Sequence, residues 1–435
     1  MERNKKFKLK ILSVLLSSLF AITYSYSQEP FFEREEVFPY QHEHAHGSTI
    51  VELPNGDMLV SWFQGSGERW ADDVRILGSR KKKNSDNWSP PFLMADVKEF
   101  PDINPVLFID GKNRLWLMWY TVIANQWSTS LLNYRISTDY MDMEGAPSWD
   151  WQQNLMVKPG DKAEHGIVAG DRFVESVNRQ LEEYGEYQKS ILDEEMYEML
   201  ERRFERIRTL AAGEDMIRGG RGIYSGLQRG YPYFRRIGWQ TRSKPVITST
   251  CRMILPLYSD GFGFSLMAIT DDWGESWIFS EPLVGGGIQP TIAETESGKL
   301  VAYMRDNGPP PKRLQVSYSE DYGETWSVMK NSELYNPNSA PDVVTLDDGS
   351  WVLIYNDTES GRHSLVVSLS EDGGETWPWT KTVEVDEPGS MSAHYPAIIQ
   401  GADGILHASY SYFTNNSQRK NIVYATFNKE WIKQE

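Results

Sequence analysis

The sequence predicts an all-β fold, a six-bladed β-propeller with an inserted helical segment. Three observations predict it. Three segments are near copies of one another: Thr270-Asp-Asp-Trp-Gly-Glu-Ser-Trp277, Ser319-Glu-Asp-Tyr-Gly-Glu-Thr-Trp326 and Ser370-Glu-Asp-Gly-Gly-Glu-Thr-Trp377. Their terminal tryptophans stand 49 and 51 residues apart, the spacing of a four-stranded repeat. The stretches between them read as short strands, and only 161–244 breaks that rhythm with a helical pattern.

Along the chain, the first segment reads as a leader. Lys5, Lys6, Lys8 and Lys10 precede an apolar run over 11–22, and Ser25-Tyr26-Ser27 offers small residues for cleavage. The run is short for a bilayer span, so residues 1–27 are expected to be a signal peptide rather than an uncleaved anchor. No Cys follows it for lipidation, which points to an exported, periplasmic protein. Residues 28–435 are expected to form the propeller.

Strand text follows at 48–62, 114–121, 300–305, 351–356, 365–370 and 405–412. Turn signals such as Pro54-Asn-Gly56 and Asp347-Asp-Gly349 lie among them. Weaker echoes of the repeat extend the count. Asn84-Ser-Asp-Asn-Trp88 reads as an eroded first copy, and Ser137-Thr-Asp-Tyr140 with Trp149 as a second. Lys429-Glu-Trp431 is expected to close the last blade. Six blades fit better than seven.

In each full copy, Asp272, Asp321 and Asp372 are placed to bond nearby backbone N–H groups. Gly274, Gly323 and Gly374 permit a tight turn, and the Trp is expected to pack between blades. Trp149 and Trp277 are about 80 residues too far apart for two blades. Within the excess, Phe173, Val177, Leu181 and Tyr184 share one helical face, and Met196, Leu200, Phe204, Ile207 and Leu210 another. The segment reads as a helical hairpin and an Arg-, Gly- and Tyr-rich loop, either a decoration or a wall over one end of the propeller.

Composition narrows the function. The 435 residues carry a net charge of −17, which argues against nucleic-acid or anionic-membrane partners. Aromatics make up 13%, with 16 Trp, which suits sheet cores and sugar-stacking surfaces. The single Cys251 excludes an internal disulfide and a Cys-based metal site.

The span 46–431 resembles the bacterial sialidase-like proteins with BNR repeats, whose Asp box the three copies match. Further matching segments are His46-Gly-Ser-Thr-Ile-Val-Glu-Leu-Pro-Asn-Gly56, Asn104-Pro-Val-Leu-Phe108, Ile288-Gln-Pro-Thr-Ile292, Asn336-Pro-Asn-Ser339 and His394-Tyr-Pro-Ala-Ile-Ile-Gln400. The resemblance implies a sialidase propeller with its Asp boxes at the periphery. It also implies a residue set: three arginines for the substrate carboxylate, a Tyr–Glu pair as nucleophile and an Asp as acid/base. Position by position, the first arginine falls at His46 and is missing. The second falls at Arg305 and the third at Arg362. The acid/base falls at Asp72 or Asp73, the tyrosine at Tyr395 after His394, and the glutamate at Gln289, which cannot take a proton.

What remains suits a uronate. An arginine pair holds a carboxylate through charge-assisted bonds and stabilises the charge that develops when the C5 proton leaves. A nearby Tyr or His can take that proton, and β-elimination follows. His46, Tyr395, His394 and Asp73 are therefore the candidate catalytic residues. Arg305, Arg362, Gln289, Asp72 and Arg242 are the candidate substrate contacts. The basic group Arg235, Arg236 and Arg242, with Tyr231, Tyr233 and Trp239, is expected to add sulfate or sugar contacts. His165, His363 and His407 rank below these.

No cofactor is required on these residues. Alternation would set His42, His44 and His46 on one strand face, which leaves a divalent metal open. The expected partner is an acidic oligosaccharide, and the resemblance to exported propeller enzymes of ulvan-degrading bacteria implies one from sulfated, uronate-rich ulvan. The expected activity is that of a dehydratase or lyase. A sialidase-type exo-glycosidase and a non-catalytic glycan-binding propeller stand beside it.

Overall fold

The computed structural model describes residues 29–160, 171–212, 233–414 and 418–434. The expected leader, His165 and Tyr231 lie outside the described residues. The strands form six sheets. The first blade runs from His44–Glu52 to Phe92–Ala95, the second from Asp102–Ile109 to Trp151–Asn154, and the fourth from Gly287–Glu294 to Lys330–Tyr335. The fifth runs from Asp342–Thr345 to Trp379–Val385. The third has its first strand split into Gln240–Thr241 and Val246–Ile247, both paired with Met253–Ser259. Every blade is an antiparallel meander, and the first strands of neighbouring blades lie side by side around the axis.

The ring is latched by Phe32–Glu36, which pairs with Arg419–Phe427 and so completes the sixth blade. Lys429-Glu-Trp431 therefore does not close that blade. It opens a short helix, Lys429–Lys433, capped by the Asn428 side chain. Trp431 stacks on Phe32 with ring centres 4.7 Å apart.

Simple alternation is weak in the second strands. Met58–Gly65 and Leu115–Val122 are buried at every residue. Each blade packs against two neighbours, so both faces of its middle strands are covered and the text becomes a continuous apolar run. The outermost strand of the second blade, Trp151–Asn154, is exposed throughout.

The repeated box lies between the third and fourth strands. Asp321 accepts from the backbone N–H of Glu324 and Thr325 at 3.1 and 2.9 Å and from the Thr325 hydroxyl at 2.6 Å. Asp372 and Asp272 repeat the arrangement with Thr376 and Ser276. Gly274 has φ +92, and a Cβ there would collide with Trp116 of the second blade. These turns hold blades together at the rim.

Helices α1 (Arg172–Lys189) and α2 (Glu194–Ala212) form the inserted hairpin. Phe173, Val177, Leu181 and Tyr184 bury against Leu200, Phe204, Ile207 and Leu210 and join the core of the neighbouring blades. Asp171 caps α1 through Val174 N–H. The sheet of the third blade takes up at Gln240, inside the span that the sequence assigns to the insertion. No helix among the described residues is long and apolar enough to cross a membrane.

Candidate functional site

The site grows out of one repeated irregularity. In four blades the innermost strand breaks register: between His46 and Thr49, Ile103 and Val106, Ile288 and Thr291, and His394 and Ala397. Each break is a bulge, which re-aims a side chain out of the ladder. The residues at these bulges have positive φ: Gly47 at +64, Asn104 at 47, Gln289 at 54 and Tyr395 at 48. For non-glycine residues this conformation costs about 1–3 kcal/mol each and collects at functional sites. Pro105, Pro290 and Pro396 follow three of them, and a proline leaves no N–H to orphan in the bulge. At Gly47 a Cβ would lie 2.6 Å from Asn104 Oδ1 and 2.8 Å from the Phe63 ring, so only glycine fits.

The bulges surround a cavity of about 220 Å³ on the propeller axis. His46, Asn104, Gln289, Arg305 and Tyr395 line it, with Glu68, Tyr120, Tyr258, Asp260 and Trp127. Arg305 Nη1 donates to Gln289 Oε1 at 3.0 Å and to Tyr395 Oη at 3.2 Å. Arginine can only donate, so the Gln289 oxygen faces it. The amide nitrogen then donates to Tyr395 Oη at 3.2 Å and to Tyr258 Oη at 3.1 Å. Two donors thus converge on the Tyr395 oxygen, and the phenol's own hydrogen is left to point elsewhere.

His46 lies flat on the Tyr395 ring, with ring centres 4.5 Å apart, and meets His394 edge-on at 5.2 Å. Its Nδ1 is buried without a hydrogen-bond partner. Burial, followed by the positive fields of His394, His44, Arg362 and Arg242, holds the His46 pKa well below the usual imidazole value. His394 is depressed likewise, by burial and then by Arg362. Its Nδ1 sits 2.5 Å from Arg362 Nη1, so that nitrogen accepts, and Nε2 then donates to Ser392 Oγ at 2.7 Å. His394 has no lone pair left for substrate and instead orients Arg362.

Asn338, another left-handed residue at φ 63, ties the two arginines together. Its side chain accepts from Arg305 Nε and its backbone carbonyl from Arg362 Nη2 at 2.7 Å. Arg362 and Arg242 pack on the Tyr395 ring at 5.7 and 5.0 Å.

Two carboxylates face the cavity from opposite electrostatic settings. Asp260 is exposed to the cavity but walled in by protein; that burial pushes its carboxyl up against the opposing pull of Arg305 and Arg69. For Glu68, burial pushes up too, but the hydrogen bond from His44 and the charges of His44, Arg69 and Lys420 outweigh it and the net shift is down.

The structure brings His46, Gln289, Arg305, Arg362, His394 and Tyr395 into one cluster, of which Arg362 and His394 lie outside the cavity lining and Arg362 faces the neighbouring groove. It leaves other sequence-predicted residues apart. Asp73 is tied to Ser66 in a local turn, through its backbone N–H at 3.1 Å and its hydroxyl at 2.8 Å. Asp72 is exposed and accepts from Asn125 at 3.1 Å. Neither lines the cavity. Arg242 is buried behind Tyr395, its guanidinium spent on the Ser48 and Pro396 carbonyls at 3.3 and 2.9 Å.

Arg235 is also structural: it pairs with Asp171 at 2.5 Å and bonds the Ala211 carbonyl, pinning both helices from inside. Trp239 is buried and donates to the Arg235 carbonyl.

The three histidines do not share a strand face. His42 sits exposed in a bend before the strand starts at His44, and both His44 nitrogens are engaged, by Glu68 at 3.0 Å and Lys420 at 2.9 Å. Among the described residues no group of three or more His, Cys, Asp or Glu side chains is placed to hold a metal ion. His363 lies beside Arg362 in a neighbouring groove, and His407 bonds Tyr424 Oη at 2.6 Å inside the sixth blade.

The insertion braces the site from outside. Arg203 of α2 donates to the carbonyls of Asn307 and Gly263 at 3.0 and 3.3 Å, two residues beyond Arg305 on the first of these. The Tyr184 hydroxyl abuts Gly286 and Gly308, next to the strands that carry Gln289 and Arg305.

Sequence reasoning missed Asn104, Tyr258, Glu68, Asp260 and Asn338. For Asn104 a signal was present: the doublets Asn104-Pro105, Gln289-Pro290 and Tyr395-Pro396 open the inner strands of three blades.

Comparison with known proteins agrees with this architecture. A sialidase of Bacteroides fragilis (strain YCH46) is 29% identical over 148 residues, 32% of this chain and 27% of that protein. The chain therefore matches about a quarter of that relative's length. The NanB sialidase from Streptococcus pneumoniae superposes with a TM-score of 0.60 at 13% identity, over 92% of this chain and 71% of that one. A protein of unknown function from Dyadobacter fermentans gives 0.61 at 13%, over 91% and 98%. The Penicillium chrysogenum alpha-L-arabinanase gives 0.55 at 11%, over 93% and 99%. At such identities the likeness shows the propeller alone. The model of the BNR repeat-like domain matches residues 56–170 and 237–408, leaving out α1 and α2, and the chain belongs to that family.

Proposed function

We propose that this chain is an exported carbohydrate-active enzyme that performs β-elimination on the uronic acid at the non-reducing end of an acidic oligosaccharide, sulfated fragments such as those of ulvan included. The observation that carries the proposal is the Gln289–Tyr395 contact. An amide donating to the phenol oxygen cannot accept its proton, so the double displacement expected of a sialidase lacks its base.

Arg305 takes the C6 carboxylate and, with the nearby charge of Arg362, stabilises the negative charge that develops, which acidifies the C5 hydrogen. His46, kept neutral, takes that proton. The freed electron pair forms the C4–C5 double bond as the C4–O bond breaks. Tyr395 passes its own hydrogen to the departing oxygen, and its negative charge meets the two donors already aimed at it. Proton return from His46 to Tyr395 resets the site. On a terminal uronate the C4 substituent is a hydroxyl, so loss of water makes the enzyme a dehydratase; a lyase would instead act on an internal uronate, whose C4 substituent is a sugar.

One observation favours hydrolysis instead. Asp260 is a carboxyl pushed up in pKa while nearby Glu68 is pushed down, a pattern suited to an acid and an ionised partner. The test is incubation with uronate-terminated oligosaccharides while the ultraviolet absorbance of a conjugated uronate is followed. A rise supports elimination. A flat trace with release of a free acidic sugar overturns it.

A further inference from the structure

Trp127, between the second and third strands of the second blade, lines the cavity, and Trp70, in the corresponding loop of the first blade, is 64% exposed. Trp70 is not loose. The Arg69 guanidinium lies 3.7 Å from its ring centre and 4.9 Å from that of Trp127, so one cation is stacked against both indoles. Asn125 holds the loop by donating to the Arg69 carbonyl at 2.7 Å. Arg69 Nε is buried with no hydrogen-bond partner, and the charge is felt by Asp260 and Glu68 on the cavity wall. The result is a flat aromatic face set beside an under-used cation, one step outside the cavity.

We propose that Trp70, Arg69 and Trp127 form a second sugar subsite beside the cavity. It takes the pyranose ring next to the terminal uronate and reads an anionic substituent, carboxylate or sulfate, on that ring. The proposal rests on the reading that the cavity holds a terminal uronate. The apolar face of a pyranose stacks on the exposed side of Trp70, while Arg69 presents its positive charge to the anion.

Titration calorimetry on the full chain tests this with three probes: a single uronic acid, a uronate-terminated oligosaccharide with a neutral second residue, and the same chain with a sulfated or carboxylated second residue. The variant Trp70→Ala is expected to bind the single uronic acid unchanged. It should lose roughly three- to tenfold affinity for both chains, the worth of one aromatic stack. Arg69→Gln is expected to weaken only the chains whose second residue is anionic; comparing the sulfated with the carboxylated chain shows which anion is read. Native protein that binds both single uronate and chains, with Trp70→Ala indistinguishable from it, overturns the subsite alone. Native protein that binds neither overturns the cavity reading and the subsite with it.

Discussion

Gln289 Nε2 lies 3.2 Å from Tyr395 Oη and donates to it, because the same amide's oxygen is claimed by Arg305 at 3.0 Å. The three side chains come from the fourth and sixth blades and form one closed set of bonds, so each fixes the chemistry of the others. Replacing Gln289 with Glu puts a proton acceptor against the phenol. Under elimination, Gln289→Glu lowers the rate, since the phenol's hydrogen is drawn away from the leaving group and the new negative charge opposes that of the enolate. Steady-state kinetics on a uronate-terminated oligosaccharide checks this; a gain of hydrolysis without elimination would argue for the sialidase pathway.

Tyr395→Phe removes the proton donor and leaves the ring that His46 and Arg242 pack on. Its expected effect is a fall in kcat of about a hundredfold or more, with thermal stability nearly unchanged. His46→Gln is expected to match it. A full-rate Tyr395→Phe enzyme would remove the phenol from the mechanism.

Arg305 is expected to carry affinity for the carboxylate. A charged hydrogen bond is worth about 1.5–3 kcal/mol, so Arg305→Met should cost roughly ten- to a hundredfold in kcat/KM. The measurement is a comparison of a uronate substrate with its methyl ester. The native enzyme should discriminate strongly against the ester, and Arg305→Met weakly.

Acid should destabilise the fold through its buried imidazoles. His46 and His394 are held well below the usual value by burial, and burial pushes His407 down to about 4. A base with a depressed folded pKa binds fewer protons folded than unfolded. Its stabilising contribution is complete above the unfolded imidazole value near ~6.5 and is lost as pH falls through the folded value. The Tm should therefore drop between about pH 6.5 and 4, and His407→Gln should flatten part of that slope in a differential scanning experiment.

The sequence made the scaffold legible and the site only in part. The Asp boxes are local: Asp, Gly and a hydroxyl residue within eight positions make their own hydrogen bonds, so their text survives as a motif. The arginine, glutamine and tyrosine positions were legible through the family resemblance: Gln289 and Tyr395 sit on innermost strands, Arg305 near the end of a second strand and Arg362 in the loop before a third. Asp260, Glu68 and Tyr258 were not, because they converge only when the ring closes. The doublet Ala71-Asp-Asp-Val74 misled, since Asp73 satisfies the backbone of its own turn. The His42, His44 and His46 alternation failed for a similar reason: the strand begins at His44 and bulges after His46.

The insertion is a part of the site's support. Arg235 and Asp171 are fully buried, and removing one partner of such a pair costs about 3–5 kcal/mol because the other charge is stranded. Arg235→Ala is expected to raise hydrogen exchange across α1, α2 and the loop around Asn307 while the remaining blades stay protected. Faster exchange confined to the hairpin alone would separate the insertion from the Arg305 loop.

The central claim is that Tyr395 and His46 serve an elimination. Its most direct test is product mass after reaction of a uronate-terminated oligosaccharide in heavy-oxygen water. Elimination predicts an unsaturated uronyl product with no heavy oxygen incorporated, one water lighter than the substrate where hydroxide leaves. Products that together gain one water and carry the heavy oxygen would contradict it and place the chain with the hydrolases.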